Sequence, residues 1–354
     1  MAYKTRKAGI LYTNDEFIRY KKNNGYYNHR TFFNDLNKEE TDREVQDNYQ
    51  IKRAPVPTGY ELVFEDNFIG NTLDNAKWGT AFNWGTFYGN PVRHGCYFPV
   101  DGLGPSGIPT IRVENGILKL DCINDPKQFD INNLGPRDAH RKDKLLNNCN
   151  WGNEYTNNPN WNIEFNAGAV FTKQSWNQGW FEAEIKMPIN KHLWCAFWLE
   201  GVEFWPPEID VFEAYTEDDD HYINPVPNIH FGSDDNPNSP DQSYKRAWYK
   251  PNLEYNFTLY DPAPMKLFAA SYRFVQYAVL WTSDFVKIYF DGILYREYNS
   301  SDLPPLYSNP NLTMRMILNN GVMDSYDPEN EFGDDKPYET ATMYIDNIRV
   351  YQKP

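Results

Sequence analysis

The chain has 354 residues, and 34 Lys and Arg against 49 Asp and Glu give a net charge of −15. That acidity argues against a nucleic-acid backbone or an anionic membrane as the main partner, since both select basic surfaces. No apolar run approaches the roughly 18 residues of a membrane span. Aromatic residues make up 17% of the chain, beside 25 Pro and 21 Gly, a composition that suits an all-β, carbohydrate-handling protein better than a helical bundle.

Residues 1–56 differ from the rest. They are rich in Lys, Arg, Asn, Asp and Tyr, and they end in the Pro-Val-Pro segment of residues 54–59, which reads as a linker. The expectation is a charged, aromatic arm that is either a solvated extension or a dock for a protein partner, followed by one domain over residues 57–354. The start of the chain lacks the apolar core of a secretory signal. Action outside the cell, either secreted with the signal removed or as part of a virion, is the expected setting. The four cysteines (Cys96, Cys122, Cys149, Cys195) are widely spaced with no Cys-x-x-Cys pair, which predicts reduced thiols and no zinc site.

From residue 60 the texture is short aromatic or β-branched runs bounded by Gly, Pro, Asn or Asp. Strands are predicted over residues 60–68, 116–123, 179–187, 194–200, 208–215, 277–282, 286–292, 313–318 and 343–351. Residues 282–285 read as a hairpin turn. Residues 124–162 read as a long polar loop. So many antiparallel strands without helical periodicity predict two stacked sheets, a jelly-roll β-sandwich.

The most informative string is EIDVFE at residues 208–213. Side chains alternate along a strand, so Glu208 and Asp210 share one face while Ile209 points to the other. Strict alternation would turn Glu213 into the core. One extra residue at Val211–Phe212, a β-bulge, returns Glu213 to the face of Glu208 and Asp210. Three carboxylates on one face repel each other, so at least one must hold a proton near neutral pH. One ionised and one protonated carboxyl is what glycoside hydrolysis requires; a solvated acidic strand is the alternative.

EIDVFE resembles the bulged E-x-D-x-x-E signature of glycoside hydrolase family 16, the form found in laminarinases, agarases, porphyranases and κ-carrageenases. Other strings resemble that family in the same order: YELVFEDNFIGNTLDNAKW (60–78), AGAVFTKQSWNQGWFEAEIKMP (167–188), LWCAFWLEG (193–201), YAVLWTSDFVKIYFDG (277–292) and MYIDNIRVYQ (343–352). The resemblance implies a concanavalin A-like sandwich with a concave cleft. It also implies an endo-acting retaining enzyme that cuts β-1,3 or β-1,4 bonds in a β-glucan or β-galactan. Glu208 would be the nucleophile, Glu213 the acid/base and Asp210 the supporting carboxylate.

Trp194 and Trp198 share parity on one strand, and the resemblance places the first beneath the sugar next to the cleaved bond. His230 and Trp84 are further substrate-binding candidates. Cys195 has the opposite parity and is expected to be buried and inert. No cofactor is required, and no catalytic metal is expected; Asp66 and Asp346 are candidates for a structural calcium. Two other readings fit the same sandwich, namely a virion- or surface-borne depolymerase and a non-catalytic glycan-binding module.

Overall fold

The computed structural model describes residues 4–7, 10–13, 51–80, 82, 96–97, 108–130, 160–188, 193–203, 205–215, 224–231, 245–247, 274–300, 303, 305–322 and 340–354. In chain order the strands are β1 (Lys4–Lys7), β2 (Ile10–Thr13), β3 (Glu61–Asp66), β4 (Trp78–Thr80), β5 (Cys96–Tyr97) and β6 (Ile111–Glu114). The long arms β7 (Ile117–Asp130) and β8 (Asn160–Thr172) follow, then β9 (Gly179–Lys186), β10 (Leu193–Gly201), β11 (Glu208–Tyr215) and β12 (Asn224–Phe231). The last six are β13 (Lys245–Ala247), β14 (Val275–Trp281), β15 (Phe285–Phe290), β16 (Ile293–Asn299), β17 (Met314–Val322) and β18 (Thr340–Gln352). Among the described residues the helical structure is one short 3-10 turn, Pro305–Ser308.

Two layers result, as the strand pattern predicts. One sheet runs β13-β12-β11-β10-β17-β8, and the other runs β7-β18-β9-β14-β15-β16. They are joined because β8 belongs to both: its first half pairs with β7, and residues 168–171 pair with β17. The strand at the centre of the first sheet, LWCAFWLEG, is buried at every position. Its odd residues Cys195, Phe197 and Leu199 enter the core between the layers, and Trp194, Ala196, Trp198 and Glu200 point the other way. Cys195 is buried as expected, and burial pushes its thiol far above the ordinary range.

Two features depart from the sequence reading. The polar segment 124–162 is not a loop throughout, because β7 continues to Asp130 and β8 begins at Asn160, with Lys127 opposite Ile163. Backbone ladder bonds do not require apolar side chains, so periodicity does not reveal such an extension. The Pro-rich segment before β3 is seated on the second sheet. The Ala54 amide donates to Gln276 Oε1 at 2.7 Å, and Arg53 donates to Glu184 Oε1 at 2.8 and 2.5 Å. Ala54 and Val56 pack with Trp180, Leu280 and Tyr289, which closes the outer face of β14. Gly292, at φ +78°, makes this approach possible, because a Cβ there would meet the Arg53 backbone at 3.3 Å. Asp66 and Asp346, the two calcium candidates, lie on β3 and β18. Asp66 accepts from the Phe68 amide and from Trp78 Nε1, and neither residue joins a metal-ligating group among the described residues. Of the arm expected over residues 1–56 to dock a partner, the structure describes the antiparallel pair β1–β2 and residues 51–56.

Asp346 stands directly opposite Glu184 across β18 and β9. Burial, reinforced by the Glu184 charge, pushes its carboxyl from 3.8 up to about 6. The folded state therefore holds more protons than the unfolded chain between about pH 4 and 6, and stability falls as pH rises through that window. Asp346→Asn keeps an acceptor for the Asn347 amide that Asp346 now binds. It is expected to stabilise the fold by roughly 1 kcal/mol at pH 7, after discounting for solvent screening, and by nothing below about pH 4. Urea titrations at the two pH values check this; an equal gain at both would remove the carboxylate pair as its cause.

Candidate active site

The acids lie where the parity argument puts them. Against β10, Asp210 pairs with Trp198 and Phe212 with Phe197, so Val211 is the extra residue. Against β12, Asp210 pairs with Asn228 and Glu213 with Val226, and the register shifts between them. Val211 and Phe212 are both fully buried. The bulge spends two successive residues on the core and leaves Glu208, Asp210 and Glu213 on the opposite face.

His230, on β12, is the register partner of Glu208. Its Nε2 lies 3.1 Å from Asp210 Oδ2, 3.3 Å from Glu208 Oε1 and 3.1 Å from Asn228 Nδ2. Trp205 Nε1 donates to the other Glu208 oxygen, Oε2, at 2.6 Å. Trp194 Nε1 donates to Glu213 Oε1 at 3.1 Å, and Trp198 Nε1 to Asn319 Oδ1 at 2.9 Å. Behind the acids, the fully buried Tyr307 directs its hydroxyl at the carbonyls of Glu208 (2.8 Å) and His230 (2.7 Å), and Trp281 Nε1 binds the Tyr307 carbonyl. One side chain from a distant 3-10 turn thus fixes the ends of two neighbouring strands.

Burial pushes the Glu208 carboxyl well above the usual carboxylate range, and the Asp210 charge adds to it. His230 and the Trp205 N–H act in the opposite direction. Glu208 and Asp210 form a close carboxylate pair, with Glu208 held between a ring nitrogen and an indole N–H. Glu208, Asp210 and His230 also form the group among the described residues whose atoms, all within 4.8 Å, could hold a metal ion.

A family model described as "Glycosyl hydrolases family 16" matches residues 144–346. The chain belongs to this family. Glucan endo-1,3-beta-glucosidase A1 of Niallia circulans is 25% identical over 351 residues, covering 93% of this chain and 43% of that protein. The chain thus spans less than half the length of that relative. In fold it is similar to SCLam, a non-specific endo-beta-1,3(4)-glucanase of family GH16, at TM-score 0.54 and 20% identity, with 88% of this chain and 99% of that one covered. The catalytic domain of a laminarinase from Thermotoga petrophila gives TM-score 0.51 and 19% identity, with 83% and 98% covered.

Within this family 16 chain, the structure brings together Glu208, Asp210, Glu213, Trp194 and His230. It places Trp198 on the same face, against Phe82. Trp84 lies outside the described residues. Trp194 is only 6% exposed, and its indole is committed to the Glu213 carboxylate. Likewise, His230 faces the acids rather than open space. Trp205, Tyr307 and Asn319 were not singled out in the sequence. Trp205 alone carried a signal, its place three residues before Glu208. Trp194→Phe keeps the ring but removes the Glu213 hydrogen bond. It is expected to lower kcat about fivefold with KM nearly unchanged, a loss of roughly 1 kcal/mol in the transition state; steady-state kinetics check this.

Proposed function

We propose that this chain is an endo-acting retaining glycosidase that hydrolyses β-1,3 or β-1,4 bonds in a glucan-type polysaccharide outside the cell. The observation that carries the reading is the bulge at Val211, which sets Glu208, Asp210 and Glu213 on one face. In this mechanism Glu213 protonates the leaving oxygen while Glu208 bonds to the anomeric carbon. Glu213 then takes a proton from the water that releases the sugar. In this reading Glu208 is ionised at the moment of attack. The reaction draws only on protein carboxylates.

A glycan-binding module on the same sandwich would gain nothing from three crowded carboxyls of which one must stay protonated. The glucan preference is supported by the glucanase names of the relatives and fold neighbours. The test is digestion of a panel (laminarin, mixed-linkage glucan, agarose, porphyran, carrageenan, mucin glycans, bacterial capsule), followed by mass spectrometry and proton NMR of the first products. Short β-configured oligosaccharides from laminarin or mixed-linkage glucan are expected. Products of inverted configuration would overturn the retaining mechanism, and cleavage of only a galactan would overturn the substrate class.

A further inference from the structure

We propose that Trp205 is a positioning residue of the reaction: its indole N–H holds Oε2 of Glu208, keeps that carboxylate ionised for attack and leaves Oε1 as the attacking oxygen. This rests on the reading in which Glu208 is the nucleophile. The two oxygens of Glu208 have different surroundings. Oε2 accepts from Trp205 Nε1 at 2.6 Å, whereas Oε1 lies 3.3 Å from His230 Nε2. A short, directed donor lowers the electron density available on its own acceptor, so the more loosely held Oε1 is the better nucleophile. The rings of Trp205 and His230 bracket the carboxylate, with centroids 6.4 Å apart and planes tilted by 39°.

The choice of donor matters. Glu208 is faced by Asp210 and Glu213 from its own strand, by Glu200, its register partner on β10, by His230 from β12 and by the Tyr307 hydroxyl, which meets its backbone. Of these carboxylates, Asp210 and Glu213 oppose its ionisation. A Lys or Arg in place of Trp205 would supply a full charge and deaden the nucleophile. A protonated His gives up its proton within the working pH range. An indole N–H does neither, because it donates at every working pH and never transfers its proton. Trp205 is also 36% exposed, so its ring forms part of the wall between Glu208 and solvent.

Two measurements test this. In Trp205→Phe an aromatic ring remains, smaller than the indole, and the donor is lost. The acid limb of kcat/KM is expected to move up by about one pH unit, and kcat to fall roughly tenfold with a smaller change in KM. A merely structural role would lower the yield of folded protein without moving the limb. The second measurement needs no activity and uses the intact wild-type site. The indole proton–nitrogen NMR signal absent from Trp205→Phe identifies Trp205. It is expected to titrate together with the acid limb and to shift in Glu208→Gln. A signal flat with pH and unmoved in Glu208→Gln overturns the proposal, even if the enzyme is active. A titrating signal in a protein that cleaves no glycan keeps the Trp205–Glu208 link and overturns the proposed function instead.

Discussion

Glu208→Ala is expected to abolish turnover on polysaccharide, by about 10⁴-fold or more, because no glycosyl-enzyme can form without the nucleophile. Glu213→Ala should lose about 10²- to 10⁴-fold, and the loss should depend on the leaving group. Natural glycosidic oxygens need the proton, while an activated aryl leaving group departs without it. On an aryl substrate Glu213→Ala should therefore still glycosylate Glu208 and stall there. Azide is small enough to occupy the space vacated at residue 213. It should attack the trapped intermediate and give a β-glycosyl azide with net retention. In Glu208→Ala the vacancy is on the opposite side of the sugar, and the same reagent should give the α-azide. Proton NMR of the anomeric signals separates the two. The reverse pattern would exchange the roles of Glu208 and Glu213 while leaving the bulge geometry intact.

The part of this site that was legible in the sequence is the part set by parity. Counting alternate residues through EIDVFE forces either a bulge or a buried Glu213, and the structure has the bulge at Val211. The same arithmetic puts Trp194 and Trp198 on one face of their strand and Cys195 on the other, and the structure turns the tryptophans to the acid face and Cys195 to the core. What was not legible depends on where distant segments end up. Tyr307 reaches the Glu208 and His230 carbonyls from a turn about a hundred residues away, and nothing in PPLYSNP marks it. Asn319 meets the Trp198 indole only because β17 lies beside β10. The outer face of β14 needs the segment around Ala54 as its cover, yet Pro-Val-Pro carries the local signature of a linker. Two turn signals stand in the sequence itself. Asn115-Gly116 and Asp291-Gly292 both adopt positive φ at both residues, the type I′ pattern that closes tight hairpins. They make the β6–β7 and β15–β16 hairpins.

Asn320→Leu is expected to be the most destabilising change that leaves the acid face untouched. Asn320 points from β17 into the core and is fully buried. Its Nδ2 donates to the carbonyls of Leu120 on β7 and Ala341 on β18, each at 2.9 Å, while the Cys195 thiol donates to its Oδ1 at 3.3 Å. The two carbonyls belong to the opposite sheet, so one amide ties the layers together. The layers approach closely here because Gly168, the register partner of Asn320, has no side chain; a Cβ on it would meet the Thr110 carbonyl at 2.4 Å. Leucine has the same branched shape but is larger and has no donor, so it takes the Nδ2 hydrogen bond from two buried carbonyls in a tightly packed site. Each orphaned acceptor costs about 1–3 kcal/mol, so a loss of roughly 3–5 kcal/mol is expected. In urea the midpoint should fall with the slope unchanged, and kcat of the folded fraction at low temperature should stay near wild type. Cys195→Val removes only the weak thiol donor and should cost about 1 kcal/mol or less. If Asn320→Leu proves as stable as wild type, the apolar gain has offset the lost bonds. That result would show that the amide is not what holds the two layers together.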